Sequence, residues 1–72
     1  MNDYLKRALR DGSPYIQSHH LDQALNGPEY YRYYAINHPN VTKEQLVRSL
    51  NDSSLMNRSR ARYRLDIHDY KE

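Results

Sequence analysis

Asn37-His-Pro-Asn-Val-Thr-Lys-Glu-Gln-Leu-Val-Arg-Ser-Leu-Asn51 reads as a helix stop, a tight proline turn and a newly capped helix. Thr42 and Gln45 have the spacing of a capping box, in which the hydroxyl takes the N3 amide and the glutamine reaches back. Leu46, Val47 and Leu50 then recur at helical spacing. The stretch also has a counterpart 25 residues earlier. Pro14-Tyr-Ile-Gln-Ser-His-His-Leu-Asp-Gln-Ala-Leu-Asn26 falls on Pro39–Asn51 without a gap. Pro14/Pro39, Leu21/Leu46, Leu25/Leu50 and Asn26/Asn51 are identical, and Ile16/Val41 and Ala24/Ser49 are conservative.

Working outward, residues 3–10 form a first helix, capped by Asn2 or Asp3, with Leu5, Ala8 and Leu9 on its inner side. Gly12 supplies the left-handed stop, and Pro14 blocks resumption. Asn37 and Pro39 are expected to repeat that stop, since asparagine also tolerates the left-handed conformation. Ile16 and Val41 plug the two turns. A helix follows each, over 17–26 and 42–51. Residues 14–26 admit a second reading, one continuous helix with Ser13 as N-cap and Pro14 at N1. The repeat favours a turn followed by a helix. Asn26-Gly27-Pro28 is a stop and restart that opens a helix over 28–36. The equivalent joint, Asn51-Asp-Ser-Ser54, is longer by one residue and opens a last helix over 54–66. With that insertion Arg32 aligns with Arg58 and Ala35 with Ala61. Residues 67–72 are expected to fray or to extend the helix. No run alternates as a strand does.

Composition limits what these elements can build. A 72-residue chain buries only about 60% of its unfolded surface. Cysteine, phenylalanine and tryptophan are absent, and all eight aromatics are tyrosines. Each buried aromatic hydroxyl therefore needs a partner or water. With 38% hydrophobic residues, a short core completed by self-association or by a partner is the expectation. The net charge is +2. The opening residues show no apolar signal segment and nothing spans a membrane, which, with the lack of cysteine, fits the cytoplasm.

Residues 35–52, with their His-Pro-Asn turn before a Thr-capped Leu-x-x-x-Leu helix, resemble one unit of the HEAT-like, variant leucine-rich helical repeats of bacterial and bacteriophage proteins. The likeness is good over 28–52 and weaker over 4–26. It departs at Ser18-His-His20 and at 53–66, where an arginine-rich helix stands in place of an acidic one. It implies an interaction scaffold with no catalytic residues to carry over. It further implies, by analogy of fold and size, a phage-type factor directed at a host protein.

Two clusters stand out where the repeat is broken. Arg58, Arg60, Arg62 and Arg64 lie within seven residues. On a helix the pairs Arg58/Arg62 and Arg60/Arg64 sit about 200° apart, so they flank the helix and form no single stripe. They suit a rim for an acidic protein or for nucleic acid; the plainer reading is arginine stems covering apolar surface. In Tyr30-Tyr-Arg-Tyr-Tyr34, Tyr30, Tyr33 and Tyr34 are expected in the core, and Tyr31 with Arg32 on the surface. His19, His20, His38 and His68 lack metal-ligand spacing, and neither glycine belongs to a phosphate loop.

The sequence therefore predicts an all-α fold, a short stack of helical hairpins in a single domain. Units over about 3–26 and 28–51 and a final helix over 54–66 make two and a half HEAT-like repeats and five helices. It predicts no enzyme, no cofactor and no metal. The expected function is a small module that docks on a host protein with an acidic surface and modulates or inhibits it. The expected contacts are Tyr31, Arg32, Met56, Arg58, Arg60, Arg62, Tyr63 and Arg64. Nucleic-acid binding by the arginine run and a structural homo-oligomer are the alternatives.

Overall fold

Asn2 opens the first helix. Its side chain accepts from the Leu5 N–H at 2.8 Å, satisfying one of the orphan donors of the first turn. The structure, a computed structural model describing residues 1–72, contains five helices: α1 Asp3–Asp11, α2 Ser18–Leu25, α3 Glu29–Asn37, α4 Lys43–Ser49 and α5 Leu55–Asp66. There is no sheet, so the fold is all-α. Helix α3 packs against each of the other four. The radius of gyration, 10.9 Å, is close to the roughly 11 Å of a folded chain this long, so the helices make one body.

The caps account for most helix boundaries. Thr42 Oγ1 accepts from the Gln45 N–H and Gln45 Oε1 from the Thr42 N–H, so the predicted capping box is present. Ser54 caps α5 by accepting from the Asn57 N–H. The second helix starts at Ser18 after a turn through residues 14–17, which settles the choice left open for residues 14–26. Its cap uses a residue the sequence reading passed over: His20 Nδ1 accepts from the Gln17 N–H at 3.0 Å.

Two stops differ from expectation. Gly12 is left-handed (φ 71°) and ends α1 as predicted, but Asn37 is helical. Helix α3 instead ends at His38, held extended ahead of Pro39, and a side chain from elsewhere donates to its open carbonyls. Arg64 donates to Ile36 O at 2.9 Å and to His38 O at 2.8 Å, so α5 satisfies the carbonyl end of α3. The left-handed partner of Gly12 is His68 (φ 55°), after α5. Ser13 N–H to Ala8 O and Asp69 N–H to Arg64 O are the matching bonds of the two stops. Beyond His68 the chain neither frays nor continues as helix. It turns back, and the Lys71 N–H donates to Val41 O at 2.8 Å in a single parallel bridge.

Positions 25 apart share an environment. Ile16 and Val41, Leu21 and Leu46, and Ala24 and Ser49 are buried as pairs, while Pro14/Pro39 and Asn26/Asn51 are exposed. The turns are laced together layer by layer. His38 Nε2 meets Ser13 O at 3.1 Å, and Arg64 meets His38 O one layer on. Asn40 Nδ2 donates to Ile16 O at 2.8 Å, and the Lys71 N–H does the same for Val41 O. Gln45 Nε2 ties α4 to Ser18 O and Asp22.

The core is thin. Of ten buried hydrophobic residues, four are alanines (Ala8, Ala24, Ala35, Ala61). Leu9, Ile16, Leu21, Ile36, Val41 and Leu46 supply the volume. Five further buried residues are polar: His38, Gln45, Ser49, Asn57 and Arg64. With so little apolar burial, the integrity of the fold leans on hydrogen bonds made in a water-poor interior, where an unmade bond is expensive.

Candidate functional site

The outward face of α5 begins with what the helix buries. Asn57, Ala61 and Arg64 point inward at i, i+4 and i+7, and Leu65 packs beside them. The opposite side is left to solvent. Leu55 (69% exposed) projects there, and Met56 (57%), Tyr63 (52%) and Ile67 (50%) are exposed along one flank, about 100° round from the buried face. Met56, Arg60, Tyr63 and Ile67 follow i, i+4, i+7 and i+11, so they form one stripe. The Arg60 guanidinium lies over the Tyr63 ring at 5.3 Å and donates to Asn37 Oδ1 at 2.6 Å. Beside the stripe, Leu50, Arg58, Ser59, Arg62, Tyr63 and Asp66 line an open groove of about 500 Å³ between α4 and α5.

The four arginines separate by role. Arg64 is buried beneath the helix and holds the end of α3, with Asp69 at 3.4 Å. It is not available to a partner, and the expectation that it lies at the surface is corrected. Arg58 is half-buried and donates to Asp52 O and Ser53 O, so only part of it faces the groove. Arg62 is exposed and pairs with Asp66 one turn on. Arg60 is exposed and meets no carboxylate.

The expected surface pair on α3 is also corrected. Arg32 is the structural twin of Arg58. It reaches back over the start of its own helix to Gly27 O at 2.9 Å and forks onto Asp52 at 2.8 and 3.2 Å. Burial alone would raise the Asp52 carboxyl, but Arg32 and the Ser54 N–H hold it below its ordinary 3.8. Tyr31 packs against the core, whereas Tyr30, expected inside, is 56% exposed. Ala35 and Ile36 define the buried face of α3, and Tyr31, one turn before Ala35, follows them inward.

The swap creates a feature no single stretch of sequence reveals. Lys6, Arg7 and Arg10 of α1 and Tyr30, Tyr31 and Tyr34 of α3 line an open cleft of about 340 Å³, with Asp3 at one end. The Tyr30 and Tyr31 rings meet edge to face at 4.5 Å, and Lys6 Nζ sits 5.9 Å from the Tyr31 centroid. The nearby Tyr31 hydroxyl raises both the Lys6 ammonium and the Tyr30 hydroxyl above their ordinary values. The lysine therefore stays charged and the tyrosine neutral at physiological pH.

His38 is the one buried histidine. Its Nδ1 accepts from the Asn40 N–H while its Nε2 faces Ser13 O, so both ring nitrogens are used by the neutral form. Burial pushes its pKa below 6.5, and the nearby Arg64 charge adds to that against the pull of Ser13 O. No three His, Cys, Asp or Glu side chains gather as a metal site would require. No helix is long and apolar enough to cross a membrane. No protein-family model, curated protein or solved structure significantly matches the chain.

Proposed function

We propose that this protein is a small, non-enzymatic docking module that binds an acidic surface of a partner protein through the outward face of α5. The observation that supports this is the exposure of Leu55, Met56, Tyr63 and Ile67 on one helix. A chain with six larger aliphatic residues in its core leaves four large apolar side chains in water on that single element. Rigid tyrosine and flexible methionine are residues that anchor interfaces. Arg60, without a carboxylate of its own, sets the preference for an acidic partner. In the host-directed setting implied by the HEAT-like resemblance, occupying that partner would modulate or inhibit it.

Self-association through the same face is the competing reading, favoured by the alanine-rich core. One experiment separates them. The parent and a Met56→Glu/Tyr63→Glu variant are used as baits and also weighed by light scattering. The docking reading expects a monomer whose stoichiometric partner is retained by the parent and lost by the variant, with both proteins melting alike. Equal retention by both would sink it. A parent dimer that the variant dissolves, with no partner retained, would replace it with self-association.

A further inference from the structure

We infer that the cleft between α1 and α3 is a second binding site, for single-stranded nucleic acid, with phosphates on Lys6, Arg7 and Arg10 and a base stacked on Tyr30. It shares no residue with the α5 groove.

The charge distribution is the first support. Three cations and one carboxylate line the cleft, so its net charge of +2 equals that of the entire chain, and everything outside it sums to zero. Two of these cations, Lys6 and Arg7, take part in none of the molecule's ion pairs. Arg7 is exposed and, alone among the arginines, takes part in no side-chain hydrogen bond or ion pair of this structure: Arg10, Arg32, Arg48, Arg58, Arg60, Arg62 and Arg64 each have one. Arg10 meets only its exposed neighbour Asp11, a pair of the kind that salt and ligands readily displace. On α1, Arg10 lies one turn beyond both Lys6 (i+4) and Arg7 (i+3), so the three make a staggered row about 100° wide along one side of the helix.

The second support is what faces that row. All the apolar lining is tyrosine, with no aliphatic side chain. An amphipathic helix or an added strand needs an aliphatic groove or a free sheet edge, and neither is present here. A nucleobase needs a ring to stack on with a cation nearby, which Tyr30, held edge-on by Tyr31, and Lys6 provide.

The test uses the whole protein and a fluorescein-labelled oligo(dT) of about ten nucleotides, within the usual span of a single-strand site. Anisotropy at ~50 mM salt should report a Kd on the order of 10 µM, weakening with salt at a log–log slope of about −2 for three cations. Arg7→Ala should lower that slope by about 0.7. Tyr30→Ala should weaken binding about tenfold, while Tyr30→Phe, which keeps the ring, should not. Arg60→Ala on α5 should leave binding unchanged. Three results would overturn the assignment: no binding at ~50 mM salt, a larger loss from Arg60→Ala than from Arg7→Ala, or equal affinity for polyglutamate with no effect of Tyr30→Ala. The last would mark an unselective polyanion surface. Melting curves of the variants, both sites being exposed, should overlay the parent, and Tyr30→Phe keeps the stacking arm readable if Tyr30→Ala does not fold.

Discussion

Helices α1 and α5 are both basic, and they use their charge in opposite ways. Helix α5 carries the densest run, yet Arg64 is buried against backbone carbonyls and Arg58 is half-turned toward them. Helix α1 carries fewer cations and engages almost none of them. The difference follows from what each helix packs on. Helix α5 closes the stack and lies over the open carbonyl end of α3 and its own entry joint. Those acceptors need donors, and a guanidinium offers several in a fixed fork. Helix α1 meets chiefly α3, through Ala8 and Leu9, and has no such ends to satisfy. The densest run of charge in a sequence is thus not by itself the run left most open to solvent.

The largest effect that tests this contrast is at Arg64. Arg64→Ala leaves Ile36 O without the Arg64 donor and His38 O with only the Val41 N–H, and should cost about 3 kcal/mol. For a domain this size that lowers the melting temperature by more than 10 °C. Arg64→Lys should recover part of this, because both bonds come from one nitrogen, Nη1, and an ammonium can also donate twice. Arg7→Ala should leave melting unchanged. If the two alanine variants melt alike, the contrast fails.

A pH titration sharpens it next, because His38 lies between the layers that Arg64 closes. The folded pKa of His38 is below 6.5, so the unfolded chain takes up the proton first as pH falls. Stability should be flat above pH 6.5 as far as this group is concerned. It should decline as pH drops through 6.5 toward the folded value, with a slope of at most about 1.4 kcal/mol per pH unit. His38→Asn should be less stable at neutral pH and should lose that decline. A decline that persists in the variant would place the sensitivity elsewhere.

The smallest effects compare the two stops. Helix α1 ends on a glycine and α5 on a histidine in the same left-handed conformation. Gly12→Ala should cost about 1 kcal/mol, since an L side chain is strained at φ 71°, while its Cβ would make only an ordinary contact with Pro39 Cδ at 3.4 Å. His68→Gly should gain about 0.5 kcal/mol, relief of strain offset by chain entropy. Equal responses at the two positions would mean that the tail strains or relaxes the α5 stop.

Much of the fold was legible because it is written in local chemistry. Asn2, Thr42 with Gln45, Gly12 and the Asn26-Gly-Pro28 joint act within a few residues of themselves, and the 25-residue correspondence located the turns. The rest depends on partners distant in sequence. Asn37 looked like a stop because asparagine tolerates the left-handed region, but α3 runs through it to His38, and the donor for the Ile36 carbonyl is 28 residues away. Arg32 looked free because nothing local shows that Asp52 folds over it. Tyr30 and Tyr31 were exchanged because α3 touches four helices, so a single wheel does not rank its faces. A signal for Tyr31 was nonetheless present in its spacing from Ala35. The cleft on α1 had no signal, since half its residues belong to another helix.

The bridge at Lys71 fills a backbone acceptor that the turn after α3 would otherwise leave open. Every layer of turns offers a carbonyl to the layer above, and in such a ladder the topmost rung is adhesive to any copy of the same surface. Here Asn40 fills the rung at Ile16 and the returning chain fills the one at Val41. The Val41 rung is therefore occupied from within the chain and is not left as an open backbone acceptor.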